Sequence, residues 1–134
     1  MSSAATSLAD DRARERPRVL LVDDDEVSLM LTAIALRERG FEVMEVPSGQ
    51  RALEELTRST PDIMVLDAMM PDPDGFATCR MLRASGGYEH LPVLMLTGLD
   101  DEASITRAYE AGATDFFVKS SQWSLLDGRL RYLL

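Results

Sequence analysis

The chain has 134 residues, a net charge of −9 and a single cysteine. That length suits one domain able to bury a core without staples, and the lone Cys79 excludes an internal disulfide framework and fits a reducing, cytoplasmic setting. The acidity argues against direct nucleic-acid binding by this segment, and no apolar run approaches the ~18 residues of a membrane span.

Residues 1–17 are rich in Ser, Ala, Asp and Arg with no apolar period and read as a disordered leader; residues 18–134 read as one folded domain. Arg18-Val-Leu-Leu-Val22 is a short continuous apolar run, the pattern of a strand buried on both faces. From Val27 to Arg39 the helical spacing of the apolar residues Val27, Met30, Leu31, Ile34 and Leu36 predicts a helix, stopped by Gly40. Phe41 to Val46 is a second strand, and Ser48 caps a helix over 49–57 whose apolar face carries Leu53 and Leu56. Ile63 to Leu66 is the third strand. Gly75 to Ala84 is a helix with Phe76, Cys79 and Leu82 on one face.

Pro92 precedes the fourth strand, Val93 to Leu96; Glu102 to Ala111 is a helix ended by Gly112; Thr114 to Val118 is the fifth strand. The last helix is expected over 122–134, with Trp123, Leu126, Leu130 and Leu133 on its sheet-facing stripe. Strands alternating with helices predict an α/β doubly wound (βα)5 fold, a parallel sheet with helices on both faces. In such sheets ligands sit beyond the strands' carboxyl ends. There the chain places Asp23-Asp24-Asp25, Asp67, Thr97-Gly98 and Lys119.

Carboxylates gathered at one rim repel, and a hard divalent cation with oxygen ligands relieves that repulsion. Few carboxylates and room for several waters suit Mg²⁺, and the Ca²⁺-loop spacing is absent. A cation, an ammonium and a hydroxyl around one carboxylate match what phosphoryl transfer requires, with Asp67 as nucleophile. Any one of these polar residues alone would be an ordinary loop residue; their order on successive strands is what points to a site.

The segments Val22-Asp-Asp-Asp25, Pro61-Asp-Ile-Met-Val-Leu-Asp-Ala-Met-Met-Pro-Asp-Pro-Asp-Gly75, Leu96-Thr-Gly98 and Ala111-Gly-Ala-Thr-Asp-Phe-Phe-Val-Lys119 resemble bacterial two-component response-regulator receiver domains of the CheY-like superfamily. The resemblance covers residues 18–134 and implies a flavodoxin-like sheet in strand order 2-1-3-4-5. It implies that a histidine kinase or phosphotransfer protein donates a phosphoryl group to Asp67. Mg²⁺ would be held by Asp23, Asp24, Asp67 and the backbone carbonyl of Met69. Thr97 and Lys119 would meet the phosphoryl oxygens, and Thr97 and Phe116 would form the conformational switch. A homodimer through the fourth helix, fifth strand and fifth helix is a further implication.

Several positions depart from that pattern. The family usually follows its Lys with a cis-Pro; here Ser120 stands there, and a trans Lys119–Ser120 bond is expected, since a non-proline cis bond costs ~3–4 kcal/mol. Phe116 replaces the commoner Tyr. Met69 and Leu99 flank the phosphoryl position and offer nothing to orient water, which predicts slow self-hydrolysis. Asp25 matches no metal position and reads as a helix N-cap. His90 reads as solvated and Cys79 as core; Met69-Met70 lacks the thiolate or His of a soft-metal site.

The uncapped end at Tyr132-Leu-Leu134 reads as a cut within a longer protein, and 124–134 resembles receiver ends leading into diguanylate cyclase or phosphodiesterase output domains. Two competing readings are a stand-alone protein-binding module and an Asp-nucleophile phosphatase. The phosphatase needs a second Asp two residues after the nucleophile, where this chain has Met69. A receiver-like chain that never accepts phosphate is a third, opposed by the presence of the whole acidic, Thr and Lys set.

Overall fold

The computed structural model of the chain describes residues 16–98, 102–119 and 125–134. Five strands, β1 (Arg18–Val22), β2 (Glu42–Val46), β3 (Ile63–Asp67), β4 (Val93–Thr97) and β5 (Asp115–Val118), alternate with five helices. The helices are α1 (Glu26–Glu38), α2 (Gly49–Leu56), α3 (Gly75–Ala84), α4 (Glu102–Glu110) and α5 (Leu126–Leu133). All strand pairs are parallel, in the order β2-β1-β3-β4-β5. The expected order 2-1-3-4-5 is the one observed. Order reverses between β1 and β3, and the crevice beyond their carboxyl ends is where this topology leaves room for a ligand.

Strand residues alternate between two cores. On one face Leu20, Val22, Met64, Leu66, Val93 and Met95 meet Ala52, Phe76, Cys79, Leu82 and Ala108. On the other, Val19, Leu21, Ile63, Val65, Leu94 and Leu96 meet Leu29, Ala33, Leu36, Leu126 and Leu130. Because β1, β3 and β4 are covered on both sides, they read as unbroken apolar runs. Each fully buried Leu or Met in them contributes about 1.5–3 kcal/mol.

The caps set where the helices begin. Asp25 accepts hydrogen bonds from the backbone N–H groups of Val27 and Ser28, and Ser48 accepts one from Arg51. Asp74 does the same for α3 through the Ala77 N–H at 2.8 Å. Phe76, Cys79 and Leu82 are buried as their spacing predicts. The last helix is described from Leu126, with Leu126 and Leu130 buried and Leu133 half-covered; Trp123 lies outside the described residues, as do positions 1–15 of the leader.

Of the apolar residues whose spacing predicts α1, Leu36 alone is buried. Leu29, Thr32, Ala33 and Leu36 are buried, while Val27, Met30, Leu31 and Ile34 are 60%, 49%, 57% and 45% exposed. Both sets have helical spacing, since almost every position from 27 to 36 is apolar, so periodicity alone leaves the phase open. The phase is decided by the small Thr32 and Ala33, which let the helix approach the sheet, and by the Asp25 cap that starts it. An exposed apolar stripe remains on α1.

Candidate functional site

Each strand delivers its polar residue to the rim through a bond that extends the ladder. The Asp23 N–H donates to Val46 O at 3.2 Å, just past β1. Asp67 is the last residue of β3, and the next N–H, that of Ala68, donates to Leu96 O at 2.8 Å. The Lys119 N–H donates to Thr97 O at 2.7 Å, which sets Lys119 one residue past the end of β5. Asp23, Asp67 and Thr97 are buried, while Asp24 is exposed. Asp23 Oδ1 accepts the Asp25 N–H at 3.0 Å, so the turn that caps α1 also orients Asp23.

The side chains converge. Asp23, Asp24 and Asp67 each offer an oxygen, all within 4.8 Å of one another. Lys119 Nζ donates to Asp67 Oδ2 at 2.9 Å and lies 3.7 Å from Asp23 Oδ2. The other Asp67 oxygen accepts the Met69 N–H at 3.2 Å. Thus Asp67 is held by one donor on each oxygen, with its carboxylate fixed in orientation.

The electrostatics are unbalanced. Burial pushes the Asp67 carboxyl up to about 6 from 3.8; the hydrogen bond and charge of Lys119 and the Met69 N–H pull it back only partly, and Asp23 adds to the rise. Burial alone would lower Lys119, but Asp67, then Asp23 and Asp24, hold its ammonium above the ordinary range. So both groups shift upward: Asp67 resists losing its proton, and Lys119 keeps its own. Three carboxylates face one ammonium, and a hard divalent cation fits this all-oxygen set.

The loop after Asp67 is tightly turned. The Gly75 N–H donates to Ala68 O at 3.0 Å, closing residues 68–75 into a ring. A Cβ on Gly75 would meet Asp67 O at 2.2 Å and Ala68 Cα at 2.7 Å, so only glycine allows α3 to start against the backbone of Asp67. Met69, on this loop, has its side chain in solvent, 72% exposed. Phe116 is half-buried against the α3 side of the core, and its ring meets Tyr109 edge-on at 6.0 Å. Tyr109 Oη donates to Asp115 Oδ1, and Arg129 Nη1 donates to Asp115 Oδ2 and Phe116 O, a network that single residues in the sequence did not announce. Ser120 and Leu99 lie outside the described residues, so the expectations attached to them do too.

Of the residues named from the strand ends, Asp23, Asp24, Asp67 and Lys119 meet, Thr97 is buried at the adjoining end of β4, and Asp25 turns away to cap α1. The model of the response regulator receiver domain matches residues 19–131. The chain belongs to that receiver family. Receiver domains are signalling domains, not enzymes. The Streptomyces coelicolor transcriptional regulatory protein AfsQ1 is 36% identical over 118 residues, covering 88% of this chain and 51% of AfsQ1. Response regulator PleD of Caulobacter vibrioides is 38% identical over 116 residues, covering 87% of this chain and 26% of PleD. The chain thus spans about half or less of these relatives' lengths. Among solved structures, the Vibrio cholerae chemotaxis protein CheY4 superposes with a TM-score of 0.83 at 28% identity, over 89% of this receiver and 99% of that chain. The activated receiver domain of Klebsiella pneumoniae RstA gives 0.78 at 34% identity, over 86% and 96%.

Proposed function

We propose that this receiver accepts a phosphoryl group on Asp67 from a histidine kinase or phosphotransfer protein and uses it to control an output domain. The observation that carries the reading is the Lys119–Asp67 contact at 2.9 Å inside a trio of carboxylates. An oxygen of Asp67 forms a bond to phosphorus as the donor's N–P bond breaks, leaving an acyl phosphate on the receiver and a neutral imidazole on the donor. Lys119 then follows the charge from the carboxylate to the phosphoryl oxygens, and buried Thr97 supplies a hydroxyl at the same rim.

Mg²⁺ is the cation this reading requires, held by Asp23, Asp24, Asp67 and the Met69 carbonyl. When bound it supplies positive charge to the transferring phosphoryl group and offsets the repulsion among the carboxylates. Asp23, oriented by the Asp25 N–H, serves as a preset ligand.

The exposed stripe Val27, Met30, Leu31 and Ile34 begins four residues from Asp23, and it supports this side of the rim as the donor's docking face. The side chain of Met69 carries no proton acceptor beside the site, which supports a long-lived acyl phosphate. The switch reading places Thr97 and Phe116 between the phosphoryl group and a dimer face on α4, β5 and α5. Among the described residues no helix is long and apolar enough to cross a membrane.

The output belongs to the rest of a longer protein. Relatives are named as a transcriptional regulatory protein and as Response regulator PleD, so the resemblance of residues 124–134 to receiver ends that lead into cyclic-di-GMP output domains stands beside a transcriptional output. The reading frame beyond Leu134 decides between them. The reading itself is tested by intact-mass measurement after acetyl phosphate and Mg²⁺. Wild type gains one phosphoryl group and Asp67→Asn gains none; an unchanged wild-type mass defeats the proposal.

A further inference from the structure

Arg107 of α4 reaches across to the loop that follows Asp67. Its guanidinium carbon lies 4.1 Å from the centroid of the Phe76 ring, and Nη2 lies 4.0 Å from Asp74 Oδ2. Asp74 sits at the far end of the 68–75 ring, and Phe76 lies just past it. Asp74 caps α3 with its other carboxylate oxygen, and its carbonyl accepts the Thr78 hydroxyl at 2.8 Å. Phe76 is buried in the core one residue after the glycine that abuts Asp67 O. At its near end the ring carries Met69, whose N–H holds Asp67 Oδ1. Arg107 itself precedes the fully buried Ala108, while its own side chain is 55% exposed.

We propose that Arg107 is a positioning residue for the phosphoacceptor loop: by gripping Asp74 and Phe76 it fixes the ring that presents Met69 to Asp67 and to the bound cation. The inference rests on the phosphoacceptor reading for its consequence, and on geometry alone for its mechanism. The grip is cationic: the guanidinium lies over an aromatic face while one of its nitrogens pairs with a carboxylate, a combination that suits arginine better than lysine. Its effect is local. The contact is exposed on its outer side and contributes little to the fold as a whole, and it adds to the end of the ring that the Gly75 N–H to Ala68 O bond closes.

The test is residue-resolved amide exchange by NMR on the metal-free, unphosphorylated protein. In Arg107→Ala the Met69 and Gly75 amides exchange about three- to tenfold faster, the size that one exposed cation–π contact and one surface ion pair support. Leu21 and Val65 in the central strands exchange as in wild type. Arg107→Lys brings the loop rates back towards wild type. Asp74→Asn keeps the cap but loses the charge, and it gives part of the increase. Unchanged loop rates in Arg107→Ala overturn the proposal, as does an increase shared equally by Leu21 and Val65. In acetyl phosphate labelling, Arg107→Ala requires more Mg²⁺ for half-maximal rate by a similar factor, at an unaltered maximal rate. An unaltered Mg²⁺ requirement overturns the link to the cation. If wild type itself takes no label, the phosphoacceptor reading fails, and the exchange rates still decide the role of Arg107.

Discussion

Lys119 Nζ and Asp67 Oδ2 are 2.9 Å apart, joining the end of β5 to the end of β3 across β4. The same ammonium is 3.7 Å from Asp23, so one cation serves two buried carboxylates. Removing it leaves like charges facing each other out of water. In Lys119→Ala we expect stability at neutral pH to fall by about 1–3 kcal/mol, below the ~3–5 of a fully buried pair because Lys119 is partly exposed. Urea unfolding checks this, and the deficit shrinks at lower pH as Asp67 takes up a proton. Labelling by acetyl phosphate slows at least ~10²-fold, the loss expected for one preorganised charge.

The raised carboxyl of Asp67 gives stability a pH dependence of defined sign. Burial in the fold pushes it up to about 6 from an ordinary 3.8, so the fold favours the protonated form. That contribution is full below the unfolded value and is lost as pH rises through about 6. Ionising Asp67 in the fold therefore costs roughly 3 kcal/mol more than in the unfolded chain. Asp67→Asn lacks this cost but strands Lys119, so we expect it to gain about 1–2 kcal/mol on wild type between pH 4 and 7. Urea unfolding of both proteins across that range tests it; parallel curves contradict it. Mg²⁺ stabilises wild type above this window and loses its effect below it, by competition with the proton.

The stripe on α1 separates docking from folding. Leu31→Glu alters an exposed side chain and should change stability by no more than about 0.5 kcal/mol, while buried Leu29→Ala costs about 2–4. Thermal melts compare the two. Leu31→Glu is labelled normally by acetyl phosphate yet accepts phosphoryl groups poorly from a kinase; equal loss with both donors points to damage at the site instead.

Met69 bears on lifetime. An acyl phosphate on wild type should persist for minutes, because the exposed thioether neither accepts a proton nor orients water. Met69→Glu places a carboxylate there, and we expect phosphate release to quicken by about tenfold, short of the ~10²–10⁴ of an aligned base. Loss from wild type within seconds contradicts this.

The strand ends were legible because β1, β3 and β4 are buried on both faces, which makes their apolar runs continuous and their terminal Asp23, Asp67 and Thr97 abrupt. Asp25 and Ser48 were legible as caps because their work is local. The face of α1 was not, since two apolar stripes interleave and only packing against the sheet chooses between them. Nor was Arg107: its partners Asp74 and Phe76 lie more than thirty positions earlier, and no short-range pattern joins a helix-four arginine to a helix-three cap. What local spacing encodes was readable; what arises where distant elements meet was not.

The most direct test of the account is to locate the acyl phosphate. Receiver labelled with acetyl phosphate and Mg²⁺ is reduced with borohydride, which converts an aspartyl phosphate to homoserine, and the digested peptides are sequenced by mass spectrometry. The account predicts homoserine at position 67 and nowhere else. Homoserine at 23 or 24 with Asp67 intact, or no conversion in a fully folded sample, would contradict it.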